Sequence, residues 1–450
     1  MEYTKVNVNQ MLAARDRRAA RQAGLLSFYK RPMVSFTMNI AGPVKNTPLI
    51  RRGFREGNAL LRAQLRRLGA ACLFSETLDE PTGLEAYYVI DAPAEKLKEL
   101  TLELEETSRL GRLFDMDVLA PDGEKLARPK PRRCLICGLP VQACARSRAH
   151  SVPELQEKTR ELLLEGLREK DLDTAASLAL RALLYEVATT PKPGLVDRGG
   201  SGSHKDMDFF TFLDSSSVLY PYFRECAASG MDTKTLSPPE TLKALRPLGK
   251  LAEGRMLEAT GGINTHKGAI FSVGILCGAL GRLDRELWAD PARVLSEAAA
   301  MAAGITGREL AGLKAEDAGT SGSRLFLKYG ISGVRGQAEA GFPSVLSCGL
   351  PVLEEGLAAG RSIDEAGSAA LLALLARTPD TNMIARGGLE AAEEAKARAQ
   401  ELLSRSPYPD ADTIRELDRV FISQNLSPGG CADLLALTYL LHFLRESGES

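Results

Sequence analysis

At 450 residues, with 44% hydrophobic, 26% charged and 6% aromatic side chains, the chain has room for two or three globular domains and is neither disordered nor fibrous. Lys+Arg exceed Asp+Glu by 28 to 21 over residues 1–168 and trail by 29 to 37 thereafter, for a net charge of −1; this suits an acidic or phosphorylated ligand in front and is too slight to make nucleic acid the expected partner. The longest apolar stretches (AIFSVGILCGAL and LLALTYLLHFL) run about a dozen residues and cannot span a bilayer, the start lacks a signal-peptide core, and eight cysteines in so long a chain are no disulfide framework, so a cytoplasmic protein with no membrane partner is expected.

Residues 8–24 read as a basic amphipathic helix. MVSFTMNI (33–40) alternates, with Val34, Phe36, Met38 and Ile40 on one face, and predicts a strand. GLEAYYVIDAP and RLFDMDVLAPDG predict two more, with helices at 57–69 and 93–107 between them. Residues 1 to about 150 thus read as a small α/β domain. SVPELQEKTRELLLEG opens on a capping box, Ser151 to Glu154, and continues as a helix. From about 170 onward helical periodicity is almost unbroken, and abundant Ala and Leu favour it. The expectation is an α/β domain at 1–168 and an all-α domain at 172–450, with Gly/Pro-rich joints between the helices.

In the front domain, LFDMDV puts Phe114, Met116 and Val118 on one strand face and Asp115 and Asp117 on the other. Two carboxylates so spaced can jointly hold Mg²⁺, which then clamps a phosphate chain during in-line displacement; a solvated strand face would read the same way. NIAGPVKNTP offers a turn and Lys45 to phosphate, or is a plain turn. CLICGLPVQACARSRAH spaces Cys134, Cys137, Cys144 and His150 as C-x2-C-x6-C-x5-H. Those four soft ligands can make a compact tetrahedral Zn²⁺ site, or the cysteines are small buried hydrophobes. Arg146 and Arg148, in the same stretch, can face phosphate.

Five polar joints interrupt the helical domain. TTPKPGLVDRGGSGSHKDMDFF (189–210) carries Lys192, Asp197, His204, Asp206 and Asp208. GGINTHKGAIF carries Asn264, His266 and Lys267, GVRGQAEAGFPSV carries Arg335 and Glu339, PDTNMIARGG carries Asp380, Asn382 and Arg386, and NLSPGGCADLL carries Asp433. Capping explains each of them separately. Five together are expected to converge on one pocket, because a phosphate-rich ligand needs backbone N–H groups and bases, and its Mg²⁺ needs carboxylates.

These motifs carry a resemblance. TPKPGLVD, SHKDMDFF, GGINTHKGAIFSVG, GFPSV, DTN with RGG, and NLSPGGCADLLALTYLL make residues 175–450 closely similar to the triphosphoribosyl-dephospho-CoA synthases that serve citrate lyase and, in a related form, malonate decarboxylase. NIAGPVKNTP, GRLFDMDVL and RRCLICGLPVQACARSRAH make residues 1–165 similar to the holo-citrate lyase synthases, which are phosphoribosyl-dephospho-CoA transferases. The chain looks like a natural fusion of the two. It departs from the family pattern at RGGSGS, where an asparagine commonly stands, and at GQAEAG, where a more acidic GEAESG is usual.

The resemblance implies two consecutive reactions. First, the ribose 2′-hydroxyl of 3′-dephospho-CoA attacks the anomeric carbon of ATP, and adenine leaves. Asp206, Asp208 and His204 are then the expected metal or acid–base residues, and Lys192, Lys267 and Arg335 the phosphate ligands. Asp380 and Asp433 are expected at metal or ribose, with Asn264, His266, Asn382 and Arg386 also at substrate. Second, a nucleotidyltransferase-like front domain passes the phosphoribosyl-dephospho-CoA to a serine of the acyl carrier (gamma) subunit of citrate lyase, releasing pyrophosphate. Asp115 and Asp117 would hold Mg²⁺ there, with Lys45, Arg112 and Arg146 on the pyrophosphate. Two other readings remain: a front domain that only docks the carrier, and a zinc-knuckle RNA-binding module on a helical scaffold.

Overall fold

The computed structural model describes residues 3–310 and 321–449. The chain divides into two compact units, Met1–Glu169 and Lys170–Ser450.

The first unit is built on a four-stranded antiparallel sheet in the order β2-β3-β1-β4, with β1 at Met33–Met38, β2 at Ala71–Glu80, β3 at Gly83–Asp91 and β4 at Phe114–Leu119. Helices α1 (Val8–Tyr29), α2 (Pro48–Arg67) and α3 (Ala94–Thr107) accompany it. One face buries Val34, Phe36, Tyr88, Ile90, Met116 and Val118 against Phe54, Leu61, Leu97 and Leu104. The other packs Met33, Tyr87 and Val89 under Leu25 and Leu26 of α1. With both faces covered, β3 is buried from Leu84 to Ile90 and reads as a nearly continuous apolar run.

Two expectations need correction. Helix α2 starts at Pro48 rather than 57, because the Thr47 hydroxyl accepts from the Ile50 N–H and proline takes the first helical position. Strand β2 was not expected. It is an edge strand, exposed over most of its length, so no apolar alternation marks it.

The opposite edge, β4, is closed by side chains. The Met116 N–H donates to Glu105 Oε1 (2.7 Å), and Arg132 Nη1 donates to the Phe114 carbonyl (2.7 Å). Beyond β4 lie a short helix α4 (Val141–Ser147) and the long α5 (Val152–Ala188), whose Leu163 and Leu167 join the first unit's core while Leu172, Ala175 and Ala179 join that of the second.

Among the described residues the second unit contains helices and no named strand. These are α6 (Phe209–Ser217), α7 (Tyr220–Asp232), α8 (Pro238–Ala259), α9 (Lys267–Arg282), α10 (Pro291–Ala302), α11 (Ile305–Glu309), α12 (Ser321–Tyr329), α13 (Gly333–Glu339), α14 (Leu350–Ala358), α15 (Ile363–Leu375), α16 (Thr381–Arg405, kinked at Gly388), α17 (Ala411–Ser423) and α18 (Gly429–Glu449). Helices α9, α15 and α18 form the interior and are buried on nearly every side.

Candidate active sites

In the second unit all five joints line one cleft of about 540 Å³. Lys192 and His204 come from the first joint; Asn264, His266 and Lys267 from the second; Arg335 from the third; Asn382 and Arg386 from the fourth; and Asp433 from the fifth. The first turns of α9, α16 and α18 also reach it, through Gly268, Thr381 and Gly430. The positive dipole ends of these helices face the cleft and favour an anion, while several of their first N–H groups are already taken by Asn264, Asp380 and Asp433.

Asp433 is the best-placed carboxylate. Its Oδ2 lies where a side chain on Gly268 would begin, 1.9 Å from an ideal Cβ there, so only glycine lets the carboxylate sit on the first turn of α9. Burial raises the Asp433 carboxyl well above the usual range, nearby Glu186 and Asp380 push the same way, and the Ala269 N–H draws it back down. Glu186, from α5, is buried and pairs with the equally buried Lys192. Sequence reasoning passed over Glu186, although it is the one acid on an otherwise apolar helical face in LALRALLYEVA. Glu253, which also lines the cleft and pairs with Lys267 at 2.8 Å, had no such signal.

His266 is 3% exposed. Its Nδ1 shares a 2.7 Å hydrogen bond with Ser215 Oγ, which also accepts from Thr265 Oγ1, while Nε2 has no protein partner. Burial, with Lys192 adding repulsion, pushes the imidazole down to about 3, so the ring is neutral at physiological pH. His204 Nε2 bonds Ser427 Oγ at 2.9 Å, and burial together with Arg386 lowers its affinity for a proton too.

Other expected residues hold the frame. Asp380 is buried and accepts from the N–H groups of Asn382, Met383 and, across to α18, Cys431 (2.8, 3.1 and 2.8 Å), so it ties the starts of α16 and α18 together and does not line the cleft. Replacing it with alanine orphans three donors. Asp380→Ala is expected to cost about 2 kcal/mol or more, the upper end for a lost helix cap, measured as a lower urea midpoint at unchanged slope. Asp197 gathers Thr190 Oγ1 and the N–H groups of Lys192, Gly199 and Gly200, fixing the first joint from within. Arg386 donates to the carbonyls of Ser203 and Asn425 and to Asn425 Oδ1, while lining the cleft. Asn264 Oδ1 accepts from the Lys267 N–H, and Arg335 donates to Glu309. Asp206 is exposed, 3.9 Å from His204 Nδ1, and Asp208 is the exposed N-cap of α6; neither lines the cleft. Glu339 receives the N–H groups of Gly304 and Thr306 and fixes the start of α11 instead.

In the first unit Asp115 and Asp117 share one face of β4, opposite Thr37 and Ser35 of β1. Asp115 accepts from Arg132 Nη2 (2.8 Å) and Asp117 pairs with Lys125. Arg132 also belongs to a cavity of about 900 Å³ whose lining includes Arg112, Arg128, Lys130, Arg133 and Arg148 against the carboxylates Glu105 and Glu106. Of the residues expected near phosphate, Arg112 and Arg148 line this cavity. Arg146 is exposed elsewhere, and the Lys45 ammonium, its affinity for a proton lowered by burial, donates to the Ile40 carbonyl. Arg132 and Glu105 escaped sequence reasoning because they lie in segments crowded with like charges. Cys134, Cys137, Cys144 and His150 come together, with one ligand atom from each within 4.8 Å of the others.

No helix among the described residues is long and apolar enough to cross a membrane. Residues 172–450 match the family model of the ATP:dephospho-CoA triphosphoribosyl transferases (CitG), and residues 6–166 that of the apo-citrate lyase phosphoribosyl-dephospho-CoA transferases (CitX). Protein CitXG of Haemophilus influenzae is 36% identical over 464 aligned residues, covering 100% of this chain and 98% of its own length. Protein CitXG of Leuconostoc mesenteroides subsp. cremoris is 32% identical, covering 97% of each. The 2-(5''-triphosphoribosyl)-3'-dephosphocoenzyme-A synthase of Pectobacterium atrosepticum is 42% identical over 262 residues, 58% of this chain and 86% of that protein. With a CitX domain in front, a CitG domain behind and relatives that share both over their full length, the chain belongs to the CitXG family of bifunctional transferases.

Proposed function

We propose that the helical cleft joins ATP to 3′-dephospho-CoA and that the front unit, with the basic cavity, transfers the product to the acyl carrier subunit of citrate lyase. The convergence of five separate joints on one cleft supports the first step most directly. There the 2′-oxygen of dephospho-CoA forms a bond to C1′ of the ATP ribose, the C1′–N9 bond breaks, and adenine departs with the electron pair. Lys267 and Arg335, helped by the dipole ends of α9, α16 and α18, bind the triphosphate. The neutral His266 bonds the attacking hydroxyl through Nε2.

Mg²⁺ fits the donor set. It is commonly held by one or two carboxylates together with substrate phosphates, and Asp433 has Glu186 near enough to raise its proton affinity, a repulsion that a cation relieves. Asp433 and Glu186 would hold the ion, which when bound neutralises triphosphate charge.

In the front unit the carrier serine oxygen bonds to the phosphorus nearest the added ribose, and pyrophosphate leaves with the electrons of the broken P–O bond. Arg112, Arg132, Arg133 and Arg148 receive the phosphates, and the positive lining suits an acidic carrier. Asp115 and Asp117, on one strand face with cationic partners beside them, would hold Mg²⁺ in a nucleotidyltransferase-like arrangement.

Incubation with ATP, dephospho-CoA, Mg²⁺ and the apo carrier reads both steps, as free adenine and as carrier mass. Asp115→Asn/Asp117→Asn is expected to release adenine at the normal rate while slowing modification at least about 100-fold, the scale of a lost electrostatic group at a reacting phosphate. A carrier still modified at full rate by that variant would remove the strand from the transfer reaction. Absence of adenine release by the unaltered protein would overturn the cleft reading.

A further inference from the structure

The cysteine–histidine cluster lies outside both reactions, yet its geometry is specific. Cys134, Leu135, Ile136, Cys137 and Gly138 form a tight knuckle. The Cys134 N–H donates to the Leu139 carbonyl (2.7 Å), the Gly138 N–H donates back to the Cys134 carbonyl (3.2 Å), and Gly138 turns the chain at φ +73°. Such a turn aims two side chains three residues apart at one point, and positive φ there favours glycine. Helix α4 supplies Cys144 from its middle. The chain then reverses through Arg148 at φ +48°, with the Ala149 N–H on the Cys144 carbonyl, and delivers His150 just before the Ser151 cap of α5.

All eight cysteines are free thiols. Three of them and one imidazole meet within 4.8 Å, and His150 Nε2 is buried with no hydrogen-bond partner. Tetrahedral zinc with bonds of about 2.0–2.3 Å sets its ligand atoms about 4 Å apart or less, so modest closure onto the ion completes the site. A buried ring nitrogen without a partner is costly unless something ligates it.

We infer that Cys134, Cys137, Cys144 and His150 bind one structural Zn²⁺ that holds the arginine-bearing wall of the basic cavity. With three sulfurs and one nitrogen the protein supplies all four ligands and leaves no position for substrate, which is the mark of a structural rather than a catalytic zinc. The clip joins the 132–140 turn to α4 and to the start of α5. Arg132, Arg133, Cys134, Cys144, Arg148 and His150 all line the cavity, and Arg112 Nη2 donates to the Cys134 carbonyl (2.7 Å). The ion thus fixes where several guanidinium groups point, far along the chain from the helical cleft's residues. The predicted effect on carrier transfer rests on the front-unit reading given above; the metal itself does not.

The full-length protein, purified without added metal and dialysed, is expected to carry about one equivalent of zinc by inductively coupled plasma mass spectrometry. Cys134→Ser and His150→Ala should retain less than about a tenth of it, and His150→Cys, which restores a fourth soft ligand, should recover it. Co²⁺ added to the stripped protein should give the visible d–d bands of a tetrahedral thiolate site, lost in Cys144→Ser. In the same variants adenine release is expected unchanged, which shows that the helical unit is folded, while carrier modification falls at least about tenfold and returns together with the metal in His150→Cys. Metal-free protein whose Cys137 and Cys144, 3.3 Å apart, are joined as a disulfide would overturn the zinc in favour of a redox pair. Full zinc in the unaltered protein with undiminished transfer in the zinc-free variants would overturn only the link to the cavity, and loss of transfer in those variants supports it. Undiminished transfer in Asp115→Asn/Asp117→Asn would place the failure in the front-unit reading instead.

Discussion

Asp433→Asn is expected to lower adenine release at least about 100-fold and, at neutral pH, to leave the protein as stable as before or more so. The first effect follows from position. Asp433 stands on the first turn of α9 inside the cleft, at a spot cleared by Gly268, and losing one preorganised electrostatic group of this kind costs roughly two to three powers of ten in turnover. The second follows from its strained ionisation. A carboxyl whose proton affinity is raised in the folded state by burial and by Glu186 and Asp380 weakens folding wherever it must be charged. The linkage sign is definite: between the ordinary carboxylate pKa and the raised folded one, the folded protein binds the extra proton, so lowering the pH through that window adds stability. Asparagine removes both the penalty at neutral pH and this gain on acidification. Adenine assays with thermal unfolding at pH 7 and pH 5 decide it; a variant that unfolds earlier at pH 7 while keeping its turnover contradicts both arguments. Gly268→Ala should inactivate as well, since its methyl would have to displace the carboxylate, with an overpacking cost of about 1–3 kcal/mol.

Lys192→Met is expected to destabilise the helical unit by about 3–5 kcal/mol, because it leaves the Glu186 carboxylate buried without its partner. Glu186→Gln alone should act in the same direction, stranding the ammonium. The double variant is the informative one. With both charges gone, most of the loss should return, since a buried ion pair replaced by neutral groups of similar volume is often close to neutral in stability. Urea midpoints for the four proteins form a double-mutant cycle whose coupling energy should be large and favourable. If the two single losses simply add, the pair is not acting as a pair. Activity should not return with stability, because Lys192 also lines the cleft.

The elements most legible in the sequence were those with one buried face. Val34 and Phe36, and then Phe114, Met116 and Val118, announced β1 and β4 by alternation, and Ser151 with Glu154 announced α5 by its cap. Strand β2 was silent because an exposed edge needs no apolar period. At the site, polar residues interrupting apolar helices were visible one joint at a time. What each does was not. Asp380, Asp197 and Asp208 look in the sequence like Asp433, since all sit near glycine or at a helix start, yet the first three give their oxygens to backbone N–H groups (Asp380 to those of two joints) while Asp433 faces the cleft.

The sequence by itself determined the two-part plan, the helical character of the rear unit, the family and both transfer reactions, because these depend on residue types in a fixed order along the chain. Only the tertiary structure decided that five joints share one cleft, that Glu186 neutralises Lys192, that His266 keeps a free nitrogen there, and that three thiols and an imidazole meet beside a ring of arginines. The physical reason is the same in each case. A carboxylate, a base or a thiol acquires its role from burial and from the charges and donors around it, and the fold supplies those neighbours, from six residues away for Glu186 and Lys192 to more than two hundred for His204 and Ser427.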